Sequence, residues 1–400
     1  MPAAPFAHFQ ALLHDHPLPC ALVDLDALER NLAAMLHPIA ANNLKMRIAT
    51  KSLRVPALVE HCVKLAGDHC AGLMTYCAAE TLFWAQRGCK DLLLAYPTAG
   101  QHDAELLVAA NRLSLTVVVV DDVAQLAVLE QAAQAAGVTL PVAIDLDVSW
   151  RVAGQHLGVR RSPVREPDQA VALADAIAAS PHLRLHGLQA YEAQIAGLTD
   201  SDPRHAWENP LRRWLKGRSM PDVMQRRADA VAALRAKGHA LHYVNGGGSG
   251  SVHATVGDPS VTEVTVGSAL FGSTLFSAYR DLATEPALAF ALQVVRNPAP
   301  NLVTCHGGGF VASGAVGPDR LPQPWMPAGL ALLAMEGAGE VQTPLVCQSD
   351  VSPNIGDAVL FRHAKAGELA EHFNDYLLIR AGAVVGKAAT YRGLGHAFLG

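Results

Sequence analysis

Two short stretches of the chain combine residue types and spacing that suit chemistry. Lys51 stands at the end of an otherwise apolar run, Ile48-Ala49-Thr50-Lys51-Ser52, and far downstream the chain reads Asn245-Gly246-Gly247-Gly248-Ser249-Gly250-Ser251. Three consecutive glycines after a strand-like run let backbone N–H groups approach an anion with no Cβ in the way, and the hydroxyls of Ser249 and Ser251 add donors. A lysine desolvated at the mouth of a barrel is available as a neutral, nucleophilic amine. A nucleophilic amine and a phosphate cradle are the two anchors that pyridoxal 5'-phosphate requires. A cofactor-free Schiff-base aldolase would use the same lysine, while a snorkelling surface lysine and a plain flexible turn read alike, so the elements that place these residues matter.

Eight apolar runs, at 46–51, 71–77, 91–97, 115–120, 141–148, 183–191, 241–245 and 262–266, alternate with Ala- and Leu-rich stretches. Intervening segments such as DVAQLAVLEQAAQAAG and DQAVALADAIAAS space their apolar residues as helices do. Eight buried-type strands separated by helices predict an α/β fold, a (β/α)8 barrel of the TIM type, with an open doubly wound sheet as the rival. Beyond Phe276 the runs LAFALQVV, NLVTCHGGG, DAVLFRH and DYLLIR alternate with Gly- and Pro-rich turns, which predicts a second, mainly β domain. The expected division is an N-terminal segment over 1–20, the barrel over 21–280 and the β domain over 281–400. Barrel chemistry sits at the C-terminal ends of the strands. Those ends read Lys51, Cys77, Tyr96, Asp121, Asp147 and Tyr191, then the glycine-rich turn and Gly267-Ser268-Ala269.

Half of the 400 residues are hydrophobic, 17% are charged and the formal net charge is −5. That composition predicts a globular protein without a field that draws nucleic acid or an anionic membrane. The densest basic stretch, Arg212, Arg213, Lys216 and Arg218, reads as a solvated helix face. No charged N-terminal region precedes a sustained apolar run, and no window of about 20 residues is apolar throughout, so neither a signal peptide nor a spanning helix is expected. Seven cysteines without a CxxC pair suit free thiols in a reducing compartment, which makes the cytoplasm the expected location.

The segments CALVDLDALERNL, RIATKSLRVPAL, GLQAYEAQI and VNGGGSGSVHATVGDPSVTEVTVGSALFGST resemble the alanine-racemase-type barrel of pyridoxal-phosphate enzymes. Within that group they are most similar to the D-threonine aldolase and D-serine dehydratase branch. The likeness covers 18–280 closely and the last 50 residues more loosely. HLGVRRSPV, FRHAKAGELAEHFN and TYRGLGHAFL are similar to a sub-group described as amino-acid deaminase or aldolase. The resemblance implies Lys51 as the Schiff-base lysine, with Gly247, Gly248, Ser249 and Gly250 around the phosphate and Ser268 nearby. It also sets Gln189 and Tyr191 beside the cofactor ring, Tyr191 being a catalytic candidate as well.

The chain also departs from that branch. Ser52-Leu53-Arg54 follows the lysine where the branch has Thr-His-Lys, and in Asp147-Val148-Ser149-Trp150-Arg151 the arginine of an Asp-x-Gly-x-x-Arg segment is displaced. The branch's His-x-Cys or His-x-Asp pair, which binds a divalent metal near the substrate hydroxyl, corresponds to His363-Ala364-Lys365, with a lysine as the second member. His363 is therefore the expected catalytic and metal-binding residue of the β domain. Glu368, Glu371, His372 and Cys305-His306 are the candidates to complete a site, and spacing does not choose among them.

The expected activity is a lyase acting on a β-hydroxy amino acid, and the resemblance implies the D configuration at Cα. Deprotonation of the β-hydroxyl and cleavage of Cα–Cβ gives glycine and an aldehyde, an aldolase reaction. Loss of the α-proton and of hydroxide gives a keto acid and ammonia, the dehydratase or deaminase alternative, and an amino-acid racemase is a third. A non-catalytic pyridoxal-phosphate carrier would lack the residues after 285. The expected partners are a small amino acid and a second copy of the chain in a homodimer.

Overall fold

The eight apolar runs become eight strands, and they close on themselves. They are β1 Lys45–Ala49, β2 Cys70–Thr75, β3 Asp91–Leu94, β4 Leu115–Val120, β5 Leu140–Asp145, β6 Leu183–Ala190, β7 Tyr243–Gly246 and β8 Glu263–Val266. All eight pair in parallel, in chain order, in a computed structural model that describes residues 6–348 and 353–399. β8 returns to β1 with Val264 opposite Met46. Strands buried on both faces are apolar without alternation, which is why these runs read as continuous in the sequence. Val118, Val120, Val142 and Ile144 pack with helix residues such as Leu129, Leu173 and Ile177, while Leu93, Val117, Val119, Ala143 and Tyr243 fill the interior.

The closing seam is also ionic. Buried Arg47 on β1 donates to both carboxylate oxygens of Glu263 on β8, at 2.6 and 2.8 Å, and to Asp91 on β3 at 2.8 Å. Burial opposes the guanidinium charge, but Glu263 and Asp91 more than offset it and hold Arg47 protonated.

The helices start and stop where their sequences say. Asp122 and Gln125 form a capping box at the head of Val123–Ala136, and Gly137 ends that helix in the left-handed region at φ 63°. The basic stretch 212–218 does not form a solvated face. It belongs to the helix Asn209–Ala236, where Arg213 donates to the Asp200 carbonyl at 2.9 Å and Lys216 pairs with Asp200 at 3.1 Å. Arg212 donates to Thr199 Oγ1 at 2.8 Å, so three of the four cations clasp the preceding loop.

The structure divides into two units that interleave along the chain. One holds the barrel, residues 35–51, 63–267 and 398–400; the other comprises residues 1–34, 52–62 and 268–397. The second unit is built on a nine-stranded sheet. Cys20–Asp24 is an interior strand of it, antiparallel to Leu288–Ala299 with Leu22 opposite Ala289 and parallel to Asp375–Arg380 with Leu22 opposite Leu377. The helix Phe6–Leu13 lays Phe9 and Leu13 on Leu22, Leu360, Leu377 and Ile379. The expected start of the barrel at residue 21 therefore differs from the observed unit, because a short apolar strand does not declare which sheet it joins. All seven cysteines are free, and among the described residues no helix is long and apolar enough to cross a membrane.

Candidate active site

The mouth of the barrel is assembled from strand ends. Lys51 lies just beyond β1, in the single 3-10 turn Thr50–Ser52, which Thr50 Oγ1 fastens to the Met74 carbonyl at 3.0 Å. Lys51 is exposed rather than desolvated, because the turn carries it past the packed end of the strand. Its Nζ donates to Tyr96 Oη at 2.7 Å and lies 5.4 Å from the centre of that ring. The Arg161 guanidinium carbon is 5.8 Å from the Tyr96 ring and 5.8 Å from the Tyr191 ring, a cation set against two aromatic faces. Tyr191 in turn borders the glycine turn: a Cβ at Gly248 would sit 3.0 Å from Tyr191 Cε2. Lys51, Tyr96, Arg161, Tyr191 and Gly248 thus form one continuous line of contacts.

Beside this line, Gln189 is 7% exposed and its Nε2 donates to the Ala95 carbonyl at 3.3 Å and, at 3.4 Å, to Asp145 Oδ1. Gln189 Oε1 is buried without a partner. Burial pushes the Asp145 carboxyl up to about 7, with Gln189 opposing the shift. Burial also pushes the Tyr191 hydroxyl up to about 12, and the Glu192 charge adds to it, so Tyr191 remains a proton donor.

Gly246, Gly247 and Gly248 each leave no room for a side chain. Gly247 has φ +87°, and a Cβ there would lie 2.6 Å from Val264 Cγ1. Its N–H donates to Glu192 Oε2 at 3.1 Å, and the Gly248 N–H donates to Ser251 Oγ at 3.1 Å. The Gly267 N–H donates to Ser249 Oγ at 3.2 Å, tying the turn to the end of β8. The Gly250 amide makes no hydrogen bond to other described residues. Ser268, in the sheet unit, lies with its Oγ 3.2 Å from Ser52 Oγ.

Other strand-end residues serve the scaffold. Asp121 accepts from Gln125 at 2.7 Å beside a helix start, and Cys77 precedes the helix Ala78–Gln86 with its thiol pushed up to about 11 by burial. Asp147 holds its own loop through the Ser149 N–H at 2.8 Å, Arg151 at 2.8 Å and Arg165 at 3.1 Å. The residues that sequence reasoning missed are Arg161, Asp145 and Glu192. Arg161 lies in the HLGVRRSPV segment, but nothing there distinguishes it from Arg160.

In the sheet unit His363 follows the strand Ala358–Arg362, is 2% exposed and presents its ring edge to Phe271 at 6.4 Å. Neither ring nitrogen has a well-formed hydrogen bond, and burial, helped by the Arg362 charge, lowers its pKa to about 3, so the imidazole is neutral. The residues present do not fit a divalent ion there. Among the described residues no three His, Cys, Asp or Glu side chains come together as a ligand set. Glu368 pairs with Lys365 at 2.8 Å and accepts the Ser313 N–H, and Glu371 pairs with Arg54 at 2.6 Å. The His372 ring rests 4.8 Å from Phe310, and burial pushes the Cys305 thiol up to about 12.

Comparison with known proteins gives this geometry a family. The chain is 28% identical over 302 residues to 3-hydroxy-D-aspartate aldolase of Paracoccus denitrificans strain Pd 1222, covering 72% of this chain and 71% of that one. It superposes on D-threonine aldolase from Filomicrobium marinum with a TM-score of 0.81 at 25% identity, over 95% of this chain and 96% of that one. The fold is shared with D-threo-3-hydroxyaspartate dehydratase from Delftia sp. HT23, with a TM-score of 0.74 at 20% identity over 95% and 98% of the two chains. The alanine racemase N-terminal domain matches residues 23–274, and the chain belongs to that family.

Proposed function

We propose that this chain is a pyridoxal-phosphate-dependent lyase of the aldolase type, cleaving a D-β-hydroxy amino acid to glycine and an aldehyde. The observation that carries the proposal is the line from Lys51 through Tyr96, Arg161 and Tyr191 to Gly248 at the mouth of a barrel similar to those of D-threonine aldolase and 3-hydroxy-D-aspartate aldolase. The residues fit the cofactor. An exposed amine is held at one end, a turn with no room for side chains at Gly246, Gly247 and Gly248 stands at the other, and the buried Gln189 Oε1 lacks a donor.

In this reading Lys51 Nζ holds the cofactor, and Tyr96 Oη keeps that amine in place. Gly250 and Ser249 receive the phosphate, while Gly247 and Gly248 shape the turn, their own amides being engaged. When bound, pyridoxal phosphate accepts the charge that develops on the substrate carbon. Arg161 offers its donors to a carboxylate. Tyr191 keeps its proton to give, and Gln189 orients against Asp145. His363 is kept as a catalytic residue on separate grounds: a buried neutral imidazole whose ring nitrogens make no well-formed hydrogen bond costs stability, and a functional role is a reason to retain it. The seven free thiols support a cytoplasmic setting, and gel filtration tests the expected homodimer.

The purified protein is expected to be yellow, with the colour lost in Lys51→Ala. Incubation with D- and L-β-hydroxy amino acids, read for aldehyde, keto acid and racemised substrate, is expected to yield aldehyde from D isomers only. Keto acid and ammonia would instead select the dehydratase reading, which the fold shared with the hydroxyaspartate dehydratase supports. His363→Ala is expected to lower turnover and leave the Lys51-dependent colour unchanged. A colourless protein, or reductive labelling of another lysine, would overturn the cofactor assignment.

A further inference from the structure

Behind the glycine-rich turn lies a buried ionic cluster that nothing in the reaction above uses. Glu192 follows Tyr191 directly and is 0% exposed. Its Oε1 accepts Ser251 Oγ at 2.8 Å and also Thr255 Oγ1; its Oε2 accepts the Gly247 N–H at 3.1 Å and Arg227 Nη2 at 2.9 Å. Arg227, also 0% exposed, donates from Nη2 to the Ala190 carbonyl at 2.9 Å and from Nη1 to Asp258. The guanidinium packs so closely on the turn that a Cβ at Gly246 would meet Nη2 at 2.8 Å.

A carboxylate that gathers a backbone amide, two hydroxyls and a guanidinium fixes all of them at once. Of the two acceptors within reach of the Ser251 hydroxyl, the charged Glu192 at 2.8 Å outcompetes the Gly248 carbonyl at 3.2 Å, which leaves the same oxygen to accept from the Gly248 N–H. Two successive peptides of the turn are therefore oriented by one buried anion, one directly and one through a hydroxyl. We propose that Glu192, seated on Arg227 and Asp258, is a positioning residue for the anion-binding turn. It locks the Gly247 and Gly248 peptides so that the Ser249–Gly250 end presents its donors to a phosphate. The inference rests on the pyridoxal-phosphate reading of the site. The strand end Gly187-Leu188-Gln189-Ala190-Tyr191-Glu192 then serves both sides of the cofactor, with Gln189 and Tyr191 toward the ring and Glu192 beneath the phosphate turn.

The test compares affinity for pyridoxal 5'-phosphate with affinity for pyridoxal, which lacks the phosphate, on protein stripped of cofactor. E192Q keeps the volume but places an NH2 donor against groups that are themselves donors. Its affinity for pyridoxal phosphate is expected to fall on the order of tenfold or more, the loss typical of a hydrogen bond to a charged group, with pyridoxal affinity unchanged. Thr255→Val, which removes one hydroxyl from Glu192, is expected to give a smaller fall of the same kind. A parallel fall for both ligands would mark a structural role only and overturn the inference, as would unchanged phosphate affinity in E192Q. Should E192Q fail to fold, Thr255→Val and Ser251→Ala decide by the same ratio. A wild-type protein that binds both ligands equally removes the phosphate cradle itself, and the inference falls with it.

Discussion

Asp145 is a carboxyl placed where its charge is poorly supported. It ends β5, is buried, and has a long hydrogen bond to Gln189 as its side-chain contact. Burial is the main reason that its pKa rises from 3.8, ordinary for an aspartate, to about 7; Asp121 and Asp147 add to the shift, and Gln189 and Arg161 oppose it. The folded state then binds the proton more tightly than the unfolded chain does. This contribution to stability is present at low pH and is lost as pH rises through 7, a cost of at most about 4 kcal/mol at one pKa unit per 1.36 kcal/mol. Asp145→Asn removes the titration, so the melting temperature of the cofactor-free variant is expected to gain on wild type between pH 5 and pH 8. A constant difference across that range would show that Asp145 does not titrate there. A second test lies at Gly248, where Gly248→Val would push on Tyr191 at 3.0 Å and Ala196 at 3.2 Å. Retention of pyridoxal phosphate, followed by absorbance during dialysis, is expected to fall far more than thermal stability. Lys51 and the glycine run were legible in the sequence because a lysine in an apolar run and three adjacent glycines are rare choices. Asp145, Glu192 and Arg161 were not, because an acid at a strand end reads equally well as a cap, a loop clasp or a buried pair. Asp121 accepts from Gln125 just before the capping residue Asp122, and Asp147 clasps its own loop.

At the scale of elements, the barrel was readable because parallel strands buried on both faces leave unbroken apolar runs. Their C-terminal limits were less so: the run 141–148 ends as a strand at Asp145, and beyond it Asp147 accepts from Ser149, Arg151 and Arg165 in a loop. The small hairpin Trp150–Val152 and Gln155–Leu157 escaped notice, although its two-residue turn has the positive φ values, 48° at Ala153 and 76° at Gly154, that such hairpins demand. The seam between the first and last strands carries the clearest energetic test. Arg47→Met would leave Glu263 and Asp91 facing each other inside the barrel without their cation, and breaking a buried pair in this way typically costs about 3–5 kcal/mol. Urea unfolding is expected to show a loss of that order. A loss below about 1 kcal/mol would mean that the seam is held by strand pairing and apolar packing alone.

For the molecule as a whole, the decisive element is the strand Cys20–Asp24. The mainly β character of the C-terminal part was evident from its short runs, but the segment that completes its sheet lies at the other end of the chain, and no local pattern links the two. Residues 281–400 expressed alone are expected not to fold, since Leu288–Ala299 and Asp375–Arg380 would each lose a paired neighbour and expose a strand edge. Circular dichroism and thermal unfolding check this, with cooperative melting of the isolated segment as the contrary result. Fusing residues 6–30 to that segment is expected to restore a transition, because it supplies both the strand and the helix Phe6–Leu13. The same arrangement sets a timetable for synthesis. The strand at 20–24 leaves the ribosome long before its partners, which begin at Leu288 and Asp375. At roughly 5–20 residues per second it waits from about ten seconds to about a minute for them. Throughout that interval Ala21, Leu22 and Val23, each fully buried in the finished sheet, have no permanent place to pack. The nascent chain therefore carries an apolar strand whose neighbours are not yet made, whereas each barrel strand pairs with strands adjacent to it in the chain, apart from the closing pair.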